Sequence, residues 1–207
     1  MERLIDGYRR FRTEVWPAER DRYRALAEKG QRPETMVIAC SDSRVDPQTV
    51  FGTGPGELFV VRNVAALVPP YQPDGGYHGT SAALEFAVRV LKVKRLVILG
   101  HARCGGVQAM VEGAPAEAQD FVVPWVSIAQ GALGAVPHDQ RHDHAHPQEH
   151  LDLCEVEVIR LTLGNLLTFP WIRDGVAAGT LALHGYRFDI HTGVLARVTD
   201  AGLEPVG

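Results

Sequence analysis

The chain has no surplus of positive charge: 21 Lys and Arg stand against 25 Asp and Glu, for a formal net charge of −4. Nucleic-acid backbones are held by a basic excess, so no nucleic-acid partner is expected. It also lacks an apolar run approaching the ~20 residues that cross a bilayer, so no membrane partner is expected. The N-terminus has no apolar core of about 7–15 residues such as a secretory signal carries. Its first thirty residues are Arg-rich, as organelle transit peptides are. They also hold Glu2, Asp6, Glu14, Glu19, Asp21 and Glu28, and transit peptides are poor in acid. A cytoplasmic protein is the expectation. Cysteine is scarce: Cys40, Cys104 and Cys154 are an odd set with no signal peptide, which argues against a disulfide framework. With 45% apolar and 22% charged residues, the composition excludes disorder, collagen and a coiled coil.

The 207 residues suit one α/β domain spanning 1–207, with an N-terminal helical arm over 1–30, a core over 31–110 and a His-rich loop over 135–150. Leu4, Tyr8, Phe11 and Val15 recur at helical steps, Pro17 is expected to interrupt that helix, and a second runs from about Ala18 to Glu28, stopped by Gly30. Met36–Ala39, Glu57–Val61 and Arg95–Gly100 read as buried strands of a parallel sheet. Between them, Gly79–Leu91 follows a helical rule, with Thr80 as candidate cap. A helix is also expected after Cys104. The stretch Leu151–Pro170 carries both strand-like alternation and a helical stripe (Val156, Ile159, Leu163, Leu166, Leu167), and its length decides for helix. Leu181–Phe188 and Val194–Val198 read as two closing strands. The fold class is therefore α/β, with a central, mainly parallel sheet flanked by helices.

Two short motifs sit at the carboxyl ends of expected strands, where open α/β sheets place their ligands. One is Cys40-Ser41-Asp42-Ser43-Arg44; the other is His101-Ala102-Arg103-Cys104. Cys40 and Asp42 are two apart and share a side in an extended segment. His101 and Cys104 are three apart, so a single turn brings them together. Two thiols, an imidazole and a carboxylate at one rim suit zinc, which takes Cys, His and Asp tetrahedrally. Gly105 and Gly106 either start a helix or also leave room beside the metal. Cys154 reads as a small buried apolar residue. The tract His138–His150 holds five of the nine histidines and reads as a solvated loop, with metal binding and proton buffering as competing roles. His184 and His191 read as structural.

The chain resembles the β-class carbonic anhydrases. The likeness is carried by Ala39-Cys-Ser-Asp-Ser-Arg-Val45, Phe59-Val-Val-Arg-Asn-Val-Ala65, Gly79-Thr80 leading to Glu85, and Gly100-His-Ala-Arg-Cys-Gly-Gly106, with a weaker match at Leu183-His184-Gly185. It implies zinc-dependent, reversible hydration of carbon dioxide to bicarbonate and a proton, through hydroxide on one Zn2+ per subunit. It implies Cys40, His101 and Cys104 as metal ligands. Asp42 would be the fourth ligand in a closed state, or pair with Arg44 in an open one and orient the nucleophile. Gln31, acting in the partner subunit's site, and Phe59, Val64 and Gly105 would line the substrate pocket. A homo-oligomer built from dimers is implied, with N-terminal helices packing on the neighbouring subunit.

Two departures refine this. Some bacterial members carry a bicarbonate site that locks the enzyme closed, built from a tryptophan, an arginine and a tyrosine. Here those positions are Val37, Arg62 and Phe188, so the open, non-allosteric type is expected. Phe86 stands where plant-like members have a pocket tyrosine. Two rival functions remain on the same residues: hydrolysis of carbonyl sulfide or carbon disulfide, and a zinc-bound but catalytically silent bicarbonate sensor or assembly module. A zinc-stapled fold without catalysis is a third, but it leaves Asp42 and Arg44 without a role.

Overall fold

The computed structural model describes residues 1–136 and 147–207. Six strands form one sheet: β1 (Thr35–Cys40), β2 (Leu58–Asn63), β3 (Arg95–His101), β4 (Ala182–Phe188), β5 (Leu195–Thr199) and β6 (Gly202–Pro205), in spatial order β2-β1-β3-β4-β5-β6. The first four are parallel and the last two are antiparallel additions. The expected strands are present. The third closing strand, β6, is short, polar and ends in proline, so it carries no apolar alternation to reveal it.

The chain enters at β1, goes to one side for β2, then crosses back to the other side of β1 for β3. That reversal is a topological switch point between β1 and β3, and the loops leaving their carboxyl ends diverge to form a crevice. Cys40 ends β1 and His101 ends β3.

Residues along β1 and β3 alternate between two apolar layers, so both strands read as unbroken apolar runs. Met36, Ile38, Leu96 and Ile98 face a core built with Leu84, Ala87, Ile159, Leu166, Phe169 and Ile172. Val37, Ala39, Val97 and Leu99 face a thinner layer with Val45, Phe51 and Tyr186. The thick layer is supplied by helices α4 (Gly79–Glu85, continued by a π turn to Leu91), α8 (Pro147–Leu166) and α9 (Pro170–Ala177); the short α3 (Pro47–Phe51) lies on the other side. Helices α5 (Gly105–Glu112), α6 (Val122–Val126) and α7 (Gly131–Ala135) form a further cluster with Cys154, Val158 and Leu161 of α8.

Helix α8 is therefore apolar on two faces, which is why its sequence shows two periodicities at once. It ends at Leu166, earlier than expected, and Leu167 is exposed. Gly100 and Gly185 let it approach the sheet: a Cβ on either would stand 2.6 or 2.7 Å from Ile159.

Two smaller expectations are corrected. Pro17 does not break the arm. Helix α1 (Glu2–Arg10) runs into α2 (Trp16–Lys29) through a π turn over Phe11–Val15. The wider turn accommodates the proline ring and its missing N–H. Thr80 does not cap α4. His78 holds the cap position without a side-chain bond, and the Thr80 hydroxyl instead accepts from Asn63 Nδ2 at 3.3 Å. Of the His-rich stretch, residues 138–146 lie outside the described residues, and 147–150 form the first turn of α8.

Candidate metal centre

The site begins with the switch point. Cys40 and His101 leave adjacent strands, and the turn His101–Cys104 doubles back so that Cys104 sits at the N-cap of α5. The ligand atoms of Cys40, His101 and Cys104, all buried, lie within 4.8 Å of one another. The two sulfurs are 3.9 Å apart. That is far beyond a disulfide bond, but two thiolates on one tetrahedral zinc at about 2.3 Å stand about 3.8 Å apart.

The imidazole is oriented by its other nitrogen. Nδ1 lies 2.8 Å from the carbonyl of Ala102, which can only accept, so Nδ1 carries the hydrogen. Nε2 is then the free electron pair, and it is buried with no hydrogen-bond partner. A buried polar atom left unmatched is costly. Here it faces two thiols, a donor set that fits a zinc ion and suits no simpler explanation in the fold.

Electrostatics agree with that use. The hydrogen bond from Cys104 draws the Cys40 thiol well below the usual range, with help from His101, while burial opposes it. Cys104 is pushed up, first by that same bond and then by burial; the amides of Val107 and Gly106 at the start of α5 pull the other way. Binding a divalent cation would release the thiol protons, and the groups around Cys40 already favour its thiolate. Burial works against charge on His101, but Cys40, the Ala102 carbonyl and Asp42 outweigh it and raise the imidazole.

Asp42 lies beside the cluster, with Oδ2 3.8 Å from His101 Nε2. Arg44 grips it twice, Nε to Oδ1 at 2.9 Å and Nη2 to Oδ2 at 2.7 Å, and the Arg44 amide also donates to Oδ1 at 2.9 Å. The guanidinium bond holds the Asp42 carboxyl far below the usual carboxylate range, against the effect of its burial. The loop carrying this pair is braced by Arg62, which donates to the carbonyls of Cys40, Asp42 and Val45 at 2.9, 2.6 and 2.9 Å. Arg62 is therefore a backbone clamp, and its neighbour Asn63 brackets Leu67 through both N–H and C=O.

Val64 reaches the same rim: a Cβ on Gly106 would stand 2.7 Å from Val64 Cγ1 and 2.9 Å from Ala65 Cβ. Trp125 fixes the turn from outside by donating Nε1–H to the Val64 carbonyl at 2.8 Å. Gly105, by contrast, has open space where a Cβ would be.

Phe59 and Gln31 are not brought to this rim. Phe59 pairs with Met36, four positions back from the Cys40–Asn63 pair, or about 13 Å along the strand. It stacks on Phe86 at 5.9 Å, and Phe86 and Val64 are 44% and 37% exposed. Gln31 is exposed beyond the end of α2. Cys154 is fully buried in the α5–α7 cluster, as expected, with its thiol 3.6 Å from His150 Nε2.

Sequence reasoning missed a buried network behind Cys104. The Cys104 amide donates to Glu155 Oε1 at 3.1 Å, and Arg187 donates to Glu155 Oε2 at 2.9 Å through Nε and to Asp152 at 2.7 Å. Glu155 is 3% and Arg187 8% exposed. Arg187, the single charged residue of β4, was the available signal; Glu155 is one of several charged residues of α8 and carried none.

Comparison with known proteins agrees with this geometry. The carbonic anhydrase family profile matches residues 35–195. A carbonic anhydrase from Pseudomonas aeruginosa is 37% identical over 193 residues, covering 93% of this chain and 85% of that protein. Among solved structures, the β-carbonic anhydrase CcaA is 30% identical, with a TM-score of 0.85 over 95% of this chain and 86% of that one. One of two tetrameric β-carbonic anhydrases from Sordaria macrospora is 27% identical, with a TM-score of 0.81 over 95% of each chain.

Proposed function

The chain belongs to the carbonic anhydrases, in their β class, and from that premise we propose that it catalyses the reversible hydration of carbon dioxide to bicarbonate and a proton. The observation that carries the reading is the buried Cys40–His101–Cys104 cluster with an arginine-held carboxylate at its edge.

Cys40 Sγ, His101 Nε2 and Cys104 Sγ would hold the zinc ion. When bound, zinc supplies the positive charge that makes water a nucleophile near neutral pH. Arg44 keeps Asp42 ionised, so Asp42 Oδ2 accepts a hydrogen bond and never donates one. Its place is to aim the attacking oxygen's lone pair at carbon dioxide. Both Asp42 oxygens are taken by Arg44, which supports the open, non-allosteric type in which Asp42 does not join the metal. Val37 and Phe188, both packed in the thin apolar layer, leave Arg62 without polar companions for a bicarbonate lock.

Val64 and the space at Gly105 would admit an apolar substrate. Gln31 and Phe59 point to a pocket completed by a second subunit, because one protomer keeps them away from its own rim. A homo-oligomer built from dimers, with the arm over 1–30 laid on the neighbour, follows. The arm supports it: α1 and α2 bury no residue completely, and Leu4 and Tyr8 are 71% and 61% exposed. The tetrameric relatives are in keeping with this. Three free cysteines, and the six acidic residues that set the Arg-rich arm apart from a transit peptide, favour the cytoplasm. Among the described residues, no helix is long and apolar enough to cross a membrane.

Zinc content and stopped-flow carbon dioxide hydration on one sample test the reading, with sulfide release from carbonyl sulfide and carbon disulfide in parallel. One zinc per chain with rapid hydration is expected. A zinc-loaded chain that releases sulfide and leaves carbon dioxide untouched would establish the hydrolase instead. A zinc-loaded chain inert to all three is the silent module.

A further inference from the structure

The peptide joining Arg103 to Cys104 is gripped at both ends. Its carbonyl accepts from Arg44 Nη2 at 3.1 Å, and its N–H donates to Glu155 Oε1 at 3.1 Å. The grip has something to resist: Arg103 has φ 55°, a left-handed conformation that a residue with a Cβ adopts at a cost. Relaxing that turn would swing the Cys104 side chain away from Cys40.

Glu155 is well placed to hold it. It lies one helical turn before Ile159, the residue of α8 seated against Gly100 and Gly185, so the packing of α8 on the sheet presents Glu155 to the end of β3. Its second oxygen is taken by Arg187, on the strand paired with β3, and Arg187 is tied in turn to Asp152. The carboxylate is buried, yet accepts from donors on both sides, which a neutral amide of the same shape cannot do.

We propose that Glu155, anchored by Arg187, is a positioning residue for the metal centre: it fixes the Arg103–Cys104 turn and so sets how tightly the Cys40–His101–Cys104 cluster retains zinc. The inference rests on the zinc reading given above. Groups that orient a metal's ligands from behind commonly change metal affinity 10–100-fold when altered.

The test uses the full chain loaded with zinc, measuring the rate of zinc release to a chromophoric chelator. In parallel, the thiolate-to-metal charge-transfer band is recorded after cobalt(II) substitution. Glu155→Gln keeps the volume but has one acceptor oxygen for two donors. It should speed zinc release about tenfold and shift the cobalt band. Adding Arg187→Met removes the competing donor, lets the Gln oxygen serve the Cys104 amide, and should return release to within about threefold of the parent. Glu155→Asp, which keeps the Arg187 pair but draws the carboxylate back from Cys104, should also speed release, and it decides the matter if the glutamine variant does not fold. Parental release and an unshifted band in the folded single variants overturn the proposal. So does a double variant as impaired as Glu155→Gln. A parent chain that never holds zinc sinks the functional reading instead; a zinc-holding parent with indifferent variants sinks this inference alone.

Discussion

Arg44 meets Asp42 with two parallel donors, Nε to Oδ1 at 2.9 Å and Nη2 to Oδ2 at 2.7 Å, a fork-to-fork pairing of residues only two apart. A bidentate pair fixes direction as well as charge, so the carboxylate is held toward the cluster's edge and kept ionised. Asp42→Ala should keep its zinc and lose most turnover, by about 100-fold or more. Arg44→Ala should behave similarly. Zinc content and stopped-flow hydration on the same samples check this; full activity in either variant removes the dyad from the mechanism.

Cys40→Ala or Cys104→Ala should lose the metal itself, because each takes one of three ligand atoms out of a buried cluster. Removing zinc from the parent with a chelator should abolish turnover, and restoring zinc should recover it. Elemental analysis before and after gives the answer. A metal-free chain with undiminished turnover contradicts the site.

The charge of this ligand set bears on the pH profile. Two thiolates cancel the charge of a divalent cation, whereas three neutral imidazoles leave it intact, and a neutralised cation acidifies water less. Turnover should therefore grow in above about pH 7. A rate profile already flat by about pH 6.5 refutes the expectation.

Adjacent glycines should respond oppositely to alanine. At Gly106 a Cβ meets Val64 Cγ1 at 2.7 Å, Ala65 Cβ at 2.9 Å and the Ala65 amide nitrogen at 3.1 Å, with no flexible side-chain end to give way. Gly106→Ala should cost about 1–3 kcal/mol, the usual range for overpacking. At Gly105 the corresponding space is open, so Gly105→Ala should leave stability within about 0.5 kcal/mol of the parent. Urea melts distinguish the two.

Asp46 ties stability to pH just beyond the loop that carries Asp42 and Arg44. It caps α3, accepting from the Thr49 amide at 2.9 Å, and that bond, ahead of its burial and with Arg62 nearby, holds its carboxyl below the usual value. The native state thus binds its proton less readily than the unfolded chain. The contribution is complete above the unfolded carboxylate value and is lost as pH falls through the lowered native one. Asp46→Ala should cost about 1 kcal/mol at neutral pH, and less in acid, where the parent has already lost the cap. Equal losses at both pH values would contradict the assignment.

Much of the fold is written in short-range pattern. Met36–Ala39 and Leu96–Leu99 are apolar at every position because both faces of their strands are covered. Helix α8 carries two periods for the same reason, being apolar on two sides, and its length identified it correctly as a helix. The continuation of the arm past Pro17 was unreadable because a proline ordinarily ends a helix, and the π turn that precedes this one is a matter of backbone hydrogen bonding with no side-chain signature.

The chemistry divides along the same line. Neighbouring residues determine the Asp42–Arg44 pair, the turn that brings His101 toward Cys104 and the strand ends that present them; these were legible because each depends on a few consecutive side chains. What the folded chain alone decided is convergence across distance: Cys40 beside Cys104, the Arg62 clamp on the Asp42 loop, and Glu155 with Arg187 behind the Cys104 amide. Those contacts arise from strand order and from how closely α8 packs on the sheet, and no local spacing encodes the place where distant surfaces meet.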